Sequence, residues 1–396
     1  MIQIAIMGLG TVGTGVAKVV AENSRQIERK LGEPLQVKRV LVRHFKDGPY
    51  RQLMTDDFTK IEEDDDIRVV VETIGGVDAA YEYTKRALMA GKHVVTANKQ
   101  LVAEKGCELL ALARCKNVNY LFEASVGGGI PVLHPLTQCM AANRVDEVYG
   151  ILNGTTNYIL TRMVRTGASF ADALKEAQEK GYAEADPTAD VEGIDAGRKT
   201  CILADLAFGS QVDPDRVPME GISKLSLEDV KIAERGGYRI KLLGRAVRLS
   251  NGRSAYVSPH LIPEDHPLAN VEDVFNAVMV RGNATGDVMF YGRGAGEMPT
   301  ASACVSDVME ALQASARRDE ISWAEDTEGF VDPAELTNRY YFRIPGSLAA
   351  AAADFGEVEV LSETGETAFL TEPITGREAL NHAEKLQALA CIRVLG

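Results

Sequence analysis

The chain opens on IQIAIMGLGTVGTGVA, residues 2–17, in which an apolar run meets glycines at 8, 10 and 13. Residues 2–7 read as a short buried strand, and the glycine segment turns the chain into a helix reaching about Lys30. In the spacing G-x-G-x-x-G, Gly8 permits the tight turn, Gly10 lets backbone approach a pyrophosphate, and Gly13 lets helix and strand pack closely. The first N–H groups of the helix and the positive end of its dipole suit phosphates. A glycine turn can be purely structural. At the very start of a strand–helix–strand pattern, however, the spacing points to a dinucleotide site built from Gly8, Leu9, Gly10, Thr11, Val12 and Gly13.

Outward from this turn the alternation continues. VKRVLVR (37–43), VVVET (69–73), HVVTA (93–97) and NYLFEA (119–124) are separated by helical stretches, one from Val77 to Ala90 and one ending near Cys115. Strands alternating with helices predict a parallel sheet wrapped on both faces. Near residue 130 the pattern changes: short helices are expected at 157–166 and 170–180, and beyond residue 236 come strands separated by Gly, Asn, Pro and Asp, the mark of a mostly antiparallel sheet. YGRGAGEMPTASACVSDVMEAL (291–312) is a glycine turn into a helix. The expected class is α/β: a Rossmann-type dinucleotide-binding domain over 1–130, completed by 292–320, and an α+β substrate and dimerisation domain over 131–291. Residues 321–338 read as a polar acidic linker, and 339–396 as a small βαβ-type unit.

Composition narrows the function. A chain of 396 residues with 45% hydrophobic side chains supports two or three domains with proper cores. A net charge of −14 argues against nucleic acid or an anionic membrane as partner. The N-terminus reads as a strand rather than a leader, no apolar run is long enough to span a membrane, and the protein is expected in the cytoplasm. Cys107, Cys115, Cys139, Cys201, Cys304 and Cys391 form no CxxC pair, which suits reduced thiols. The six histidines are equally dispersed, so no transition-metal site is apparent.

The end of the second strand distinguishes cofactors. An NAD site places an acid there, but this chain has Arg43-His44-Phe45-Lys46, and cations favour the 2′-phosphate of NADP unless they are ordinary surface charges. A second unusual stretch is GYAEADPTADVEGIDAGRK (181–199), with Glu184, Asp186, Asp190, Glu192 and Asp195 ahead of Lys199. A helix expected from about Val191 to Phe208 sets Asp195 and Lys199 four apart on one face. The pair reads either as a surface ion pair of little energy or as a proton donor held by a carboxylate. A hydride reaction on a carbonyl needs one proton donor and no nucleophile, which favours the second reading, and further carboxylates suit a substrate bearing an ammonium group.

The spacing Ala177-x3-Gly181-Tyr182-Ala183-Glu184-Ala185-Asp186-Pro187-x2-Asp190-Val191-x-Gly193-x-Asp195-x3-Lys199 closely resembles the signature of the homoserine dehydrogenases, and Asn153-Gly154-Thr155-Thr156-Asn157-Tyr158-Ile159-Leu160 resembles their second hallmark. The resemblance covers residues 1 to about 320. It implies reversible NAD(P)H-dependent reduction of L-aspartate 4-semialdehyde to L-homoserine, on the route to threonine and methionine. It further implies Lys199 as general acid/base, Glu184 on the substrate's amino group, and Asp190 and Asp195 in the polar network around substrate and lysine. Lys99 would be a second important lysine beside cofactor and substrate, and Asn153, Gly154, Thr155 and Thr156 would line the substrate cleft. Glu123, Val126, Gly128 and Ile130 correspond to a loop for a monovalent cation, usually sodium. Gly292-Arg293-Gly294-Ala295-Gly296-Glu297 matches a turn that touches the cofactor, through Gly294 and Glu297, with Arg293 where the family usually has proline. The tail from Arg339 resembles the start of an ACT domain, shortened around Ala349–Ala353, with a structural or dimerising role expected. A homodimer through the antiparallel sheet is the implied assembly, with a higher oligomer open, and the length leaves no room for a fused kinase.

Other readings of the same residues are an NADP-dependent dehydrogenase of a different amino acid and a catalytically silent NADP-binding sensor. A thioester-forming semialdehyde dehydrogenase fits less well, since no cysteine sits in a nucleophile turn.

Overall fold

Six strands, β1 (Ile2–Met7), β2 (Leu35–Leu41), β3 (Met54–Thr55), β4 (Ile67–Glu72), β5 (His93–Thr96) and β6 (Tyr120–Leu121), pair in parallel in the order β3-β2-β1-β4-β5-β6. That order reverses between β1 and β4, which opens a crevice at the carboxyl ends of those strands. The coordinates are a computed structural model that describes residues 1–313, 321–325 and 328–396, with backbone only at 350–352. Two compact units result: Met1–Arg144 with Cys201–Pro214 and Gly292–Asp326, and Val145–Thr200 with Asp215–Tyr291 and Thr327–Gly396. Of the expected domain completion and linker, residues 314–320 and 326–327 lie outside the described residues.

In the first unit the apolar run of β1 is buried because both faces of a parallel sheet are covered. Ile4, Ile6, Val69, Val71 and Val95 share a core with Val16 and Val20 of the helix Thr11–Glu22 and with Ala301, Cys304, Val305 and Val308 of the helix Glu297–Gln313. The distant helix is thus part of the fold around the glycine turn. At Gly13 a Cβ would lie 2.1 Å from the Gly8 carbonyl oxygen, so only glycine lets the first helix turn come this close to β1.

The second unit holds a nine-stranded sheet. To β7 (Val145–Ile151), β8 (Tyr238–Leu249), β9 (Gly252–Pro263), β10 (Phe275–Gly282) and β11 (Gly286–Arg293), the tail adds four strands. After a two-residue β12 (Thr337–Asn338) these are β13 (Tyr340–Ile344), β14 (Glu359–Ser362) and β15 (Thr367–Leu370); β16 (Ile374–Thr375) pairs with β12, and β17 (Ala390–Val394) closes the chain. The order is β11-β10-β7-β8-β9-β17-β13-β15-β14. Pairing is antiparallel between β10 and β7, β7 and β8, and β8 and β9, whereas β17 meets β9 in parallel through Arg393 and Val394.

The tail is fuller than the βαβ unit expected. With the helices Leu348–Phe355 and Gly376–Lys385 it runs β13-α-β14-β15-α-β17, a split βαββαβ whose four strands pair antiparallel around Tyr340, Phe342, Ile344 and Phe369. The βαβ reading falls short because β14 is a four-residue, half-exposed edge strand and its hairpin partner β15 follows after a short turn. Residues between the units of regular structure are also tied down: Trp323 is buried against Phe122, and Arg253 and Val331 pair through their backbones. Among the described residues no helix is long and apolar enough to cross a membrane.

Candidate active site

Lys199 and Asp195 lie on the helix Ile194–Phe208. The expected start near Val191 moves to Ile194 because Gly193 adopts φ +80°, a left-handed conformation that ends the short turn Thr188–Val191 and starts the helix afresh. Both residues of the pair are buried, each keeping only 7% of its surface. The surface ion-pair reading is therefore excluded. The Lys199 Nζ donates to Asp195 Oδ2 at 2.7 Å and to the Leu152 carbonyl at 2.8 Å. Two of its three N–H groups are thereby fixed, and the third has no protein acceptor among the described residues.

Asn153 joins both carboxylates to this lysine. It caps the helix Gly154–Thr166, accepting the Thr156 N–H at 2.9 Å, while its amide nitrogen donates to Asp190 Oδ1 at 2.7 Å and Asp195 Oδ2 at 2.9 Å. Burial pushes the Asp190 carboxyl above the usual carboxylate range; the Asn153 hydrogen bond opposes the shift and nearby Asp195 adds to it. Thr155 donates its hydroxyl to the Tyr182 carbonyl at 2.7 Å, which anchors the loop carrying Glu184, and Gln178 donates to the Glu184 carbonyl at 3.0 Å. The Glu184 side chain is exposed and makes no hydrogen bond or ion pair among the described residues. The structure thus brings together Asn153, Thr155, Thr156, Asp190, Asp195 and Lys199, with Gly154 as the first residue of the capped helix, and leaves the Glu184 carboxylate outside that network.

In the first unit a cleft of about 610 Å³ opens beside the glycine turn. Its lining includes Gly8, Leu9 and Gly10 of the turn, Arg43, His44 and Lys46 after β2, and Thr73, Ile74 and Gly75 after β4 with Tyr83. Thr11, Val12 and Gly13 form the first turn of the helix behind it, and Gly10 at its start offers backbone without a side chain. Free N–H groups and neighbouring cations fit a dinucleotide's phosphates. Asp56 also lines the cleft, a residue that sequence reading missed because β3 is only two residues long. Lys99 opens the helix Lys99–Cys115, which Asn98 caps by accepting the Leu101 N–H at 3.1 Å.

The Glu123 carboxylate is spent on backbone, accepting the N–H groups of Val132, Leu133 and His134 at 2.6, 2.9 and 2.6 Å. In that loop the carbonyls of Val126, Gly128 and Ile130 accept no hydrogen bond among the described residues, which leaves them suited to a cation. Glu297 pairs with Lys18 at 2.6 Å, and the Gly294 carbonyl sits against Gly128. Burial pushes the Cys201 and Cys304 thiols far up and Cys391 up to about 12, which makes these three poor nucleophiles.

Hydride chemistry on a carbonyl asks a protein for a dinucleotide crevice and a proton donor, and the glycine-turn cleft and the buried Lys199–Asp195 pair fit the class of nicotinamide-dependent oxidoreductases. The family model for homoserine dehydrogenase matches residues 131–309, and that for the homoserine dehydrogenase NAD binding domain matches residues 8–123. Over 392 residues the chain is 40% identical to the homoserine dehydrogenase of Bacillus subtilis, spanning 96% of this chain and 89% of the relative. A crystal structure of a homoserine dehydrogenase from Thiobacillus denitrificans superposes with a TM-score of 0.91 at 39% identity, covering 100% of this chain and 98% of that one. A hyperthermophilic archaeal homoserine dehydrogenase in complex with NADPH superposes with a TM-score of 0.68 at 28% identity over 80% of this chain and 99% of that one. The chain belongs to the homoserine dehydrogenase family, whose members are NAD(P)-dependent oxidoreductases acting on a CH–OH group. That family interconverts L-aspartate 4-semialdehyde and L-homoserine, a step of amino-acid biosynthesis.

Proposed function

We propose that Lys199 is the general acid/base of this reaction, and the observation that carries the proposal is its buried ammonium with two N–H groups fixed and one left over. In the reducing direction that third N–H donates its proton to the aldehyde oxygen as negative charge develops there; in the oxidising direction the lysine takes the hydroxyl proton back. Asp195 orients the ammonium, and Asn153 holds Asp195 and Asp190 in register. Glu184, exposed and unpaired among the described residues, receives the substrate's ammonium group, while Gly154, Thr155 and Thr156 line its binding site. Bound NADPH supplies the hydride.

On the cofactor side, Gly8 to Gly13 cradle the pyrophosphate, and Arg43 with Lys46 takes a 2′-phosphate, which makes NADP the preferred cofactor and NAD a weaker one. Lys99, Gly294 and Glu297 complete the cofactor site. The loop carbonyls at Glu123, Val126, Gly128 and Ile130 hold a sodium ion. The first unit serves the cofactor and the second the substrate and a homodimer contact, with the split βαββαβ tail as an ACT-like module of structural or dimerising role. The enzyme works in the cytoplasm with reduced thiols.

The test is NADPH formation from homoserine, with NADP and NAD compared and sodium replaced by a large organic cation. The expected result is faster turnover with NADP, a rate that falls without sodium, and a raised homoserine KM in Glu184→Gln at unchanged cofactor affinity. Equal use of both cofactors would refute the role of Arg43, and an unaltered homoserine KM would refute that of Glu184.

A further inference from the structure

Glu72 closes β4 with no exposed surface at all. Its Oε1 accepts the Ile74 N–H at 2.6 Å and its Oε2 the Thr96 hydroxyl at 2.5 Å. The Thr96 oxygen in turn accepts the Asn98 N–H at 2.9 Å. From the other end, the Asn98 side chain donates to the Gly76 carbonyl at 2.6 Å while capping the helix that Lys99 begins. One buried carboxylate therefore ties together two turns, 73–76 and 96–99. The first supplies Thr73, Ile74 and Gly75 to the wall of the cofactor cleft, and the second delivers Lys99.

The fold alone does not call for a carboxylate here. The strand ends are already joined by backbone, Thr73 N–H to the Met7 carbonyl at 2.9 Å and Ala97 N–H to the Glu72 carbonyl at 3.3 Å. Among the described residues no lysine, arginine or histidine pairs with Glu72; its oxygens rest on neutral donors, the Ile74 and Gly75 N–H groups and the Thr96 and Asn98 side chains, which oppose the upward shift that burial imposes on its carboxyl without cancelling it. The other titratable groups in its surroundings are the Tyr120 hydroxyl of β6 and the Cys304 thiol, both raised by burial. The buried acid stands at the end of β4, where strand order reverses and open α/β sheets bind their ligands.

We propose that Glu72 is a positioning residue for catalysis: by accepting from both turns at once it fixes the 73–76 cofactor wall and the start of the Lys99 helix in one register. The inference rests on the assignment of Lys99 to the cofactor site. A glutamine of the same shape accepts on one side only, so one of the two links is reversed or broken while the desolvation cost of the charge disappears.

The experiment compares wild type, Glu72→Gln, Thr96→Val, the double variant and Lys99→Met by NADPH fluorescence titration, homoserine turnover and thermal melting. Glu72→Gln is expected to raise the NADPH Kd and lower kcat by about tenfold each, through misplacement of binding groups, while melting within about 3 °C of wild type. Thr96→Val removes the same link, so its effect in the Glu72→Gln background is smaller than alone. The proposal is overturned if folded Glu72→Gln keeps both constants within twofold of wild type, or if only its Tm falls. Should Glu72→Gln fail to fold, Thr96→Val carries the same criteria. Lys99→Met separates the two levels: wild-type behaviour there overturns the Lys99 assignment and this proposal with it, whereas an impaired Lys99→Met beside an unimpaired Glu72→Gln overturns the proposal alone.

Discussion

At the cofactor cleft Arg43, His44 and Lys46 stand exposed, whereas in the second unit Lys199 and Asp195 keep 7% of their surface each. Both regions carry charge, but under different dielectric conditions. Exposed cations interact through water, so each contributes modestly and salt weakens it. A buried ammonium depends on its partner, because removing either one leaves an uncompensated charge. The cofactor site is therefore tunable residue by residue, and the lysine site works as a unit.

Asp195→Asn strikes the buried side of that contrast hardest. It strips Lys199 of its countercharge, and the expected cost is about 3 kcal/mol of stability or more together with about 100-fold in turnover, read from melting and steady-state kinetics. A loss no larger than that of a surface ion pair would erase the contrast. Asn153→Ala comes next: the Asp190 and Asp195 oxygens lose a shared donor and a helix loses its cap, for about 2 kcal/mol and a raised homoserine KM. On the exposed side, Arg43→Ala should raise the NADP Kd about tenfold at low salt while leaving NAD binding unchanged, and the difference should shrink as ionic strength rises. A salt-independent effect would mean that Arg43 is not acting through solvent-exposed charge.

The smallest effect concerns pH. Burial raises the Asp190 carboxyl in the folded state, so its contribution to stability is complete below the unfolded carboxylate pKa and is lost as pH rises through the folded value. Asp190→Asn lacks this dependence. Its Tm relative to wild type should therefore rise between acid and neutral pH, measured by melting across that range, and a constant difference would place Asp190 in solvent.

The same contrast explains what the sequence made legible. The glycine turn could be read because its parts are contiguous and Gly13 acts on Gly8, five residues away. The four-residue spacing of Asp195 and Lys199 was readable for the same reason, but their burial was not, since it depends on distant segments such as Met219, which packs against Gly197. The Leu152 carbonyl that fixes Lys199 carries no sequence signal, because every residue offers one. Glu72 was hidden differently: an acid at a strand end reads as a surface charge until the strands on both sides are known. In the tail, the short helix at the alanine run and the half-exposed edge strand β14 hid the full count of four strands, although β13 and β15 are buried and largely apolar.

The most direct test of the account is Lys199→Ala, assayed for homoserine oxidation beside a titration of NADPH affinity. Turnover is expected to fall by about 1,000-fold or more, the scale of a lost general acid/base, while the NADPH Kd stays within twofold of wild type. Turnover within tenfold of wild type in the folded variant would contradict it, and the proton would have to come from another group.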